Sequence, residues 1–368
     1  EGGLALEVMA RTKTTLRSPD TGLPRTQNGK QLATKSARKC ILPPSPPSKR
    51  QKLEEDDDEA STSSARKVCV TATTLNFVRK TRDECVDMAI KTIREAVLNA
   101  PTEHRHIVLL PELFSGEYFP SQMDERHFDL AEEYETSKLL EKMSVVAKKF
   151  EVVLPISFFE RSGQAFFNSV CVIDATGEKL GVYRKSHIPM SPGYEEKFFF
   201  SPGDTGFKVF ETKYARIGVG ICWDQWFPEA ARCMALQGAE LLLYPTAIGS
   251  EPQDAELESG EHWRRVMQGH AAANMVPVVA SNRNGVETSS DPTDETVETE
   301  IEFYGGSFIC NETGKVVRET NLPEDICEHD YVQHTFDLDV ISKKRASWGL
   351  FRDRRPDLYK SLLSLDGK

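Results

Sequence analysis

Cysteine is sparse in this chain, with eight in 368 residues, and no two of them form a CxxC pair. They stand at 40, 69, 85, 171, 222, 233, 310 and 327. Neither a disulfide framework nor a zinc site is therefore suggested, and most of the thiols are expected to be reduced and structural. Long apolar runs are missing too. None approaches the roughly 18 residues of a membrane span, and Gly2 to Val8 is interrupted by Glu7, so neither a span nor a signal peptide is expected. Met9 is a candidate initiator, which makes the first eight residues upstream sequence. The composition fits a soluble cytoplasmic or nuclear enzyme, long enough for one large or two small domains.

The charge is unevenly spread. Ala10 to Lys52 carries eleven Lys or Arg against one acid, Asp20, and Glu54 to Glu59 then supplies six consecutive acids. From Arg66 onward there are 35 basic and 48 acidic residues. Pro43 to Ser48 and Ser61 to Ser64 flank the acidic run, so residues 1–65 read as a disordered extension and residues 66–368 as the folded domain. In that domain strand and helix patterns alternate. Strands are expected at Val68–Leu75, Ile107–Leu110, Val152–Phe159, Asn168–Asp174, Leu180–His187, Arg216–Cys222, Glu240–Thr246 and Val276–Asn282. Helices are expected at about Thr81–Asn99, Glu132–Phe150, Pro228–Gln237 and Gly260–Asn274. This is a mixed α/β pattern, with the Thr-, Ser-, Asp- and Glu-rich stretch Val286–Glu302 read as an exposed loop.

Three ionisable residues sit at or just after strand-like runs, where active-site groups of α/β proteins emerge. They are Glu112 in Leu-Leu-Pro-Glu-Leu-Phe, Lys185 in Tyr-Arg-Lys-Ser-His-Ile-Pro, and Cys222 in Gly-Val-Gly-Ile-Cys-Trp-Asp-Gln-Trp-Phe-Pro-Glu. A base, a cation and a thiol are a complete set for attack on an unreactive carbon–nitrogen bond. Glu112 can take the thiol proton, and Lys185 can hold that carboxylate and an oxyanion. An isolated cysteine on an apolar strand is more often a packing residue, but the trio outweighs that reading here. Glu112 among apolar neighbours is too costly a charge to leave unpaired. Alternation puts Lys185 on the face of His187 and opposite Arg184. Pro228 and Glu229 suit a first helical turn, so Cys222 is expected near a helix N-terminus, in a field that favours thiolate.

These motifs resemble the nitrilase, or carbon-nitrogen hydrolase, superfamily, over roughly Arg66 to Gly367. Glu251–Asp254 and the tail from Ser347 to Tyr359 are similar to plant-type N-carbamoylputrescine amidases. The resemblance implies an αββα sandwich that becomes four-layered across a dimer interface, and a homo-oligomer of two or more copies, up to an octamer. It further implies Glu196 as a second glutamate beside Lys185, set against the plainer reading of a surface pair with Lys197. The Trp223 N–H, next after the nucleophile at the turn, is read as an oxyanion donor. Tyr118, Trp223, Trp226 and Trp348 are candidate pocket-lining aromatics, set against ordinary packing, and His187 is read as structural rather than as a base. The implied reaction is thiol hydrolysis of N-carbamoylputrescine, with no metal or organic cofactor. The distal ammonium of that substrate needs an acidic or aromatic receptor, for which Glu251 and Asp254 are the candidates, beside the plainer reading of a solvated acidic loop. A β-ureidopropionase or an ω-amidase is the alternative.

An interaction role of another class is carried by Ala10–Lys13 and Lys30–Lys39, which resemble the tail of the third core histone. Cys40 departs from that tail, and Ser48–Leu53 adds a nuclear-import-like cluster. Nuclear or chromatin partners through residues 10–52 are the expectation that follows, beside a plain basic arm.

Overall fold

The structure is a computed structural model that describes residues 66–100, 105–254, 256–290, 298–321 and 328–368. The basic, acidic and histone-like segments lie outside these residues. Everything described below falls in the unit Ser61–Lys368.

Among the described residues, thirteen strands build the unit. In chain order they are β1 (Lys67–Asn76), β2 (His106–Leu109), β3 (Val152–Ser162), β4 (Ala165–Ile173), β5 (Lys179–Arg184), β6 (Val209–Glu211), β7 (Arg216–Val219), β8 (Leu241–Thr246), β9 (Val278–Ser290), β10 (Glu298–Tyr304), β11 (Phe308–Cys310), β12 (Val316–Glu319) and β13 (His329–Asp337). The helices are α1 (Arg82–Leu98), α2 (Lys138–Phe150), α3 (Glu196–Phe199), α4 (Pro228–Leu236), α5 (Gly260–Asn274) and α6 (Leu338–Trp348). Hydrogen bonding follows the order β5-β4-β3-β2-β1-β9-β8-β7-β6, with β13 added to β1.

Three cores define the layers. Val70, Leu109, Val153, Val172 and Tyr183 from β1–β5 meet Ile217, Val219, Leu243, Val279 and Ile309 from the other half of the path. That core lies between two facing sheet halves. Cys85, Ala89 and Ile93 of α1 and Leu140 and Met143 of α2 cover β1–β4 through Leu75, Val108 and Leu154. Ala231 and Met234 of α4 and Trp263, Met267 and Ala271 of α5 cover Leu242, Tyr244 and Val278. The chain thus has the αββα sandwich that the resemblance implies, and strands buried on both faces explain the near-continuous apolar runs in the sequence.

Local chemistry sets the helix ends. Thr81 caps α1, accepting from the Glu84 N–H while Glu84 accepts from the Thr81 N–H at 2.8 Å, a reciprocal box that satisfies two end donors. Ser137 caps α2 by accepting from the Leu140 N–H, so this helix begins at Lys138 rather than near Glu132. The larger correction concerns Val286–Glu302. β9 continues to Ser290, and β10 folds back on it, pairing Ile301 with Glu287 and Phe303 with Gly285. Val286 faces out and Glu287 is buried, so the alternation is present with polarity reversed, and composition concealed a strand.

Strand direction positions the site. β1, β2 and β3 are parallel, as are β7, β8 and β9, and β1 runs parallel to β9. β4 reverses direction and β5 reverses it again. The carboxyl ends of β2, β5 and β7 therefore share one edge, the edge at which open α/β sheets place their ligands.

Candidate active site

Glu112, Lys185 and Cys222 leave that edge just beyond β2, β5 and β7. All three are buried, and Glu196 at the start of α3 joins them with no exposed surface. Lys185 Nζ donates to Glu112 Oε1 at 2.9 Å and to Glu196 Oε1 and Oε2 at 2.8 and 2.7 Å. Glu196 is thus a buried partner of Lys185, and the surface pairing with Lys197 is not what the fold makes. Arg184 points away, to Glu160 and Asp204, as strand alternation requires.

The electrostatics are those of a dry site. Burial by itself depresses the Lys185 ammonium, but Glu112 and Glu196 outweigh it and hold the group above its ordinary range. Burial raises Glu196 to about 7, with Lys185 pulling the other way and Glu112 adding to the rise. Burial, then the Glu112 charge, pushes the Cys222 thiol well up despite Lys185. The expected helix-end bias toward thiolate is overridden, because removal from water and two nearby carboxylates act more strongly. That direction favours the thiol over the thiolate, so attack by sulfur calls for a base to take the proton.

Cys222 opens a 3-10 turn, Cys222–Trp226, that leads into α4. Its φ is 41°, a left-handed conformation that a non-glycine residue holds only under constraint. Asp224 supplies much of that constraint. Its Oδ2 accepts from the Ile221 N–H at 2.9 Å and the Tyr183 hydroxyl at 2.6 Å, and its Oδ1 accepts from the His187 N–H at 3.0 Å. His187 Nδ1 lies 2.7 Å from the same Oδ1 and its ring stacks on Phe227 at 3.6 Å. His187 therefore braces the turn. Gly220 is needed beneath it, since a Cβ there would come within 2.7 Å of the Tyr244 ring. Trp223 stands in the first turn, where N–H groups have no partner within the helix.

Tyr118 belongs to the same cluster. Its hydroxyl donates to Glu196 Oε1 at 2.6 Å, and its ring lies 5.8 Å from that of Tyr194. The Tyr194 hydroxyl accepts from the Gly249 N–H and donates to the Ser250 carbonyl. Burial, then Glu251, then Cys222 raise the Tyr194 phenol, and the bond to the Ser250 carbonyl holds the segment that carries Glu251 against that ring. Asp254 is exposed and accepts from the Glu256 N–H at 3.1 Å.

Trp348 is not brought to this cluster. It is 72% exposed at the end of α6 and lines a groove of about 970 Å³ with Trp226, Arg232 and Tyr359. α6 is anchored through Leu338 and Ile341, and its far end projects beyond them. Trp226 packs near Trp223 and His262, bordering the same groove.

Several site neighbours carried no distinct sequence signal. Asn168 Nδ2 donates to Glu112 Oε1 at 2.6 Å, and Asn168 lies inside an ordinary strand pattern. Ser157 Oγ accepts from the Leu113 N–H at 3.0 Å. Arg283 Nη2 donates to the carbonyls of Glu112 and Leu113 at 2.9 and 3.1 Å. Asp224 was legible only as part of the cysteine motif.

Residues 76–343 match the carbon-nitrogen hydrolase family. The chain belongs to that family. It is 56% identical to an N-carbamoylputrescine amidase of Oryza sativa over 285 residues, which is 77% of this chain and 91% of the relative. It is also 50% identical to a citrullinase of Francisella tularensis over 271 residues, 74% of this chain and 91% of the relative. Among solved structures it is similar to a carbon-nitrogen hydrolase from Helicobacter pylori, with a TM-score of 0.73 and 35% identity over 81% of this chain and 99% of the other. This family member is an amide hydrolase of carbon–nitrogen bonds. No described helix is long and apolar enough to cross a membrane.

Proposed function

We propose that the chain hydrolyses N-carbamoylputrescine to putrescine, ammonia and carbon dioxide. The observation that carries this reading is the buried Lys185 ammonium held between Glu112 and Glu196 at the strand edge from which Cys222 also emerges, in a chain 54–57% identical to four plant proteins named for that reaction. Glu112 takes the Cys222 proton as sulfur attacks the carbamoyl carbon. Lys185 and the Trp223 N–H hold the oxyanion, where exclusion of water strengthens both contacts. Collapse expels ammonia or the amine, which takes a proton, and leaves a carbamoyl thioester on Cys222. Glu112 then activates one water to cleave it, and the released carbamate separates into carbon dioxide and the remaining amine. Glu251 is the favoured receptor for the distal ammonium, ahead of Asp254.

Residues 66–368 form the hydrolase domain in this reading, with residues 1–65 outside it. Homo-oligomer formation is supported by the exposed Trp348 and Leu362, which line the groove beside α4 and α5, and by the exposed Leu358 and Leu363. The citrullinase relative favours a second reading, in which the ureido group is the same and the far end of the substrate differs.

Steady-state kinetics on N-carbamoylputrescine, citrulline, N-carbamoyl-β-alanine, an ω-amide and a nitrile decide between them. The first substrate should have the highest kcat/KM, and Cys222→Ser should remove nearly all turnover in a normally folded protein. Citrulline ahead of N-carbamoylputrescine gives the second reading. Activity retained by Cys222→Ser ends the thiol mechanism.

A further inference from the structure

β9 carries two charges that the reaction scheme above does not use. Arg283 has no exposed surface and Glu287 is 7% exposed, and Arg283 Nη1 donates to Glu287 Oε1 at 2.8 Å. A buried ion pair stabilises a fold little more than an apolar pair of similar volume does, because desolvation consumes most of the attraction. Its value here lies in what else each partner holds.

We propose that Arg283 and Glu287 form a buried clamp that positions both carboxylates flanking Lys185. Arg283 and Glu287 are positioning residues for the hydrolysis and touch no reacting atom. The guanidinium grips the peptide chain at the base of the site, donating from Nη2 to the carbonyls of Glu112 and Leu113. Leu113 has a φ of 48°, so the turn that aims Glu112 is strained and needs external support. A planar guanidinium suits that task, because Nη2 holds the two carbonyls while Nη1 holds Glu287, so one rigid group fixes both directions. Phe77, Phe303 and Tyr118 surround the guanidinium with ring centroids at 4.8, 5.3 and 5.6 Å, which leaves it little freedom.

Glu287 extends the clamp to the second carboxylate. Its Oε2 accepts from the Tyr118 N–H at 2.5 Å, and the Tyr118 hydroxyl donates to Glu196 Oε1 at 2.6 Å. One ion pair therefore reaches Glu112 through a backbone carbonyl and Glu196 through a tyrosine. Burial raises the Glu287 carboxyl against the pull of Arg283, consistent with a charge retained at some energetic cost.

This inference rests on the roles given above to Glu112 and Cys222, so the test carries controls for both. Arg283→Lys keeps the charge and loses the fork, and Glu287→Gln keeps the shape and loses the charge. In each, kcat for N-carbamoylputrescine should fall about 10- to 100-fold, the scale of a small misplacement of a reacting group, with KM little changed. The pH dependence of Cys222 alkylation by iodoacetamide should also be displaced, because a misaimed Glu112 alters the field at the thiol. A merely structural role would lower the melting temperature and leave both readouts at the parent values for the folded protein, and that result overturns the clamp. Should Arg283→Lys not fold, the near-isosteric Glu287→Gln decides the question alone. Turnover surviving in Cys222→Ala or Glu112→Gln would sink the catalytic reading itself, a result distinct from failure of the clamp.

Discussion

Asn168 Nδ2 donates to Glu112 Oε1 at 2.6 Å, the same oxygen that Lys185 holds at 2.9 Å. Both contacts fall on one side of the carboxylate. The other oxygen, Oε2, is buried and meets no hydrogen-bond partner among the described residues. A carboxylate held by one oxygen and bare at the other is suited to collect a proton from a fixed direction, and the amide side chain is part of what fixes it.

Asn168→Ala should therefore lower kcat by about 10- to 100-fold while leaving KM for N-carbamoylputrescine nearly unchanged. Asn168→Asp should be worse, since it places a like charge against Glu112. Steady-state kinetics on the two variants test this, and a wild-type kcat in Asn168→Ala would show that Lys185 suffices to orient the base.

Charge selection should separate Glu251 from Asp254. Glu251→Gln is expected to reduce kcat/KM for N-carbamoylputrescine by about 10- to 100-fold, the worth of one charge-assisted hydrogen bond, and to affect an uncharged N-carbamoyl analogue far less. Asp254→Asn should change neither, because that carboxylate faces solvent and caps the Glu256 N–H. Equal losses on both substrates would make the loop structural.

Stability should report the titration of Glu196. Its carboxyl stands at about 7 in the folded protein against an ordinary 4.5, so between these values the folded chain keeps a proton that the unfolded chain has released. The contribution of Glu196 is present in full below the lower value and lost as pH rises through the upper one. Lys185, Glu112, Tyr118 and Cys222 surround the group, and none of these is removed by Glu196→Gln. Between about pH 5 and pH 8 the melting temperature of the parent should fall relative to that of Glu196→Gln. Parallel curves would place the Glu196 titration elsewhere.

The apolar strands of both sheet halves were legible because burial on two faces leaves little room for polar residues. Glu112, Lys185 and Cys222 could be found for the related reason that an ionisable group beside such a run needs an explanation. Glu196 came through resemblance alone, since Tyr-Glu-Glu-Lys in isolation also fits an exposed helix end. The second half of β9 and all of β10 were hidden because an inward position on β9 belongs to Glu287, whose burial is made tolerable by Arg283, four residues earlier on the same strand. Asn168 was hidden for a simpler reason: its partner lies 56 residues away, and no local pattern records it. Trp348 shows the opposite limit, in that the resemblance of a motif does not say which face of the molecule it occupies.

β1 pairs along nine residues with β13, and beside that ladder Arg66 reaches Asp339 across 273 residues. Glu112, Lys185 and Cys222 all lie between these two strands in the chain, so a single ladder ties together the segments on either side of the whole site. A chain without β13 would leave nine residues of β1 unpaired on one side, and an unpaired strand edge is a template for aggregation.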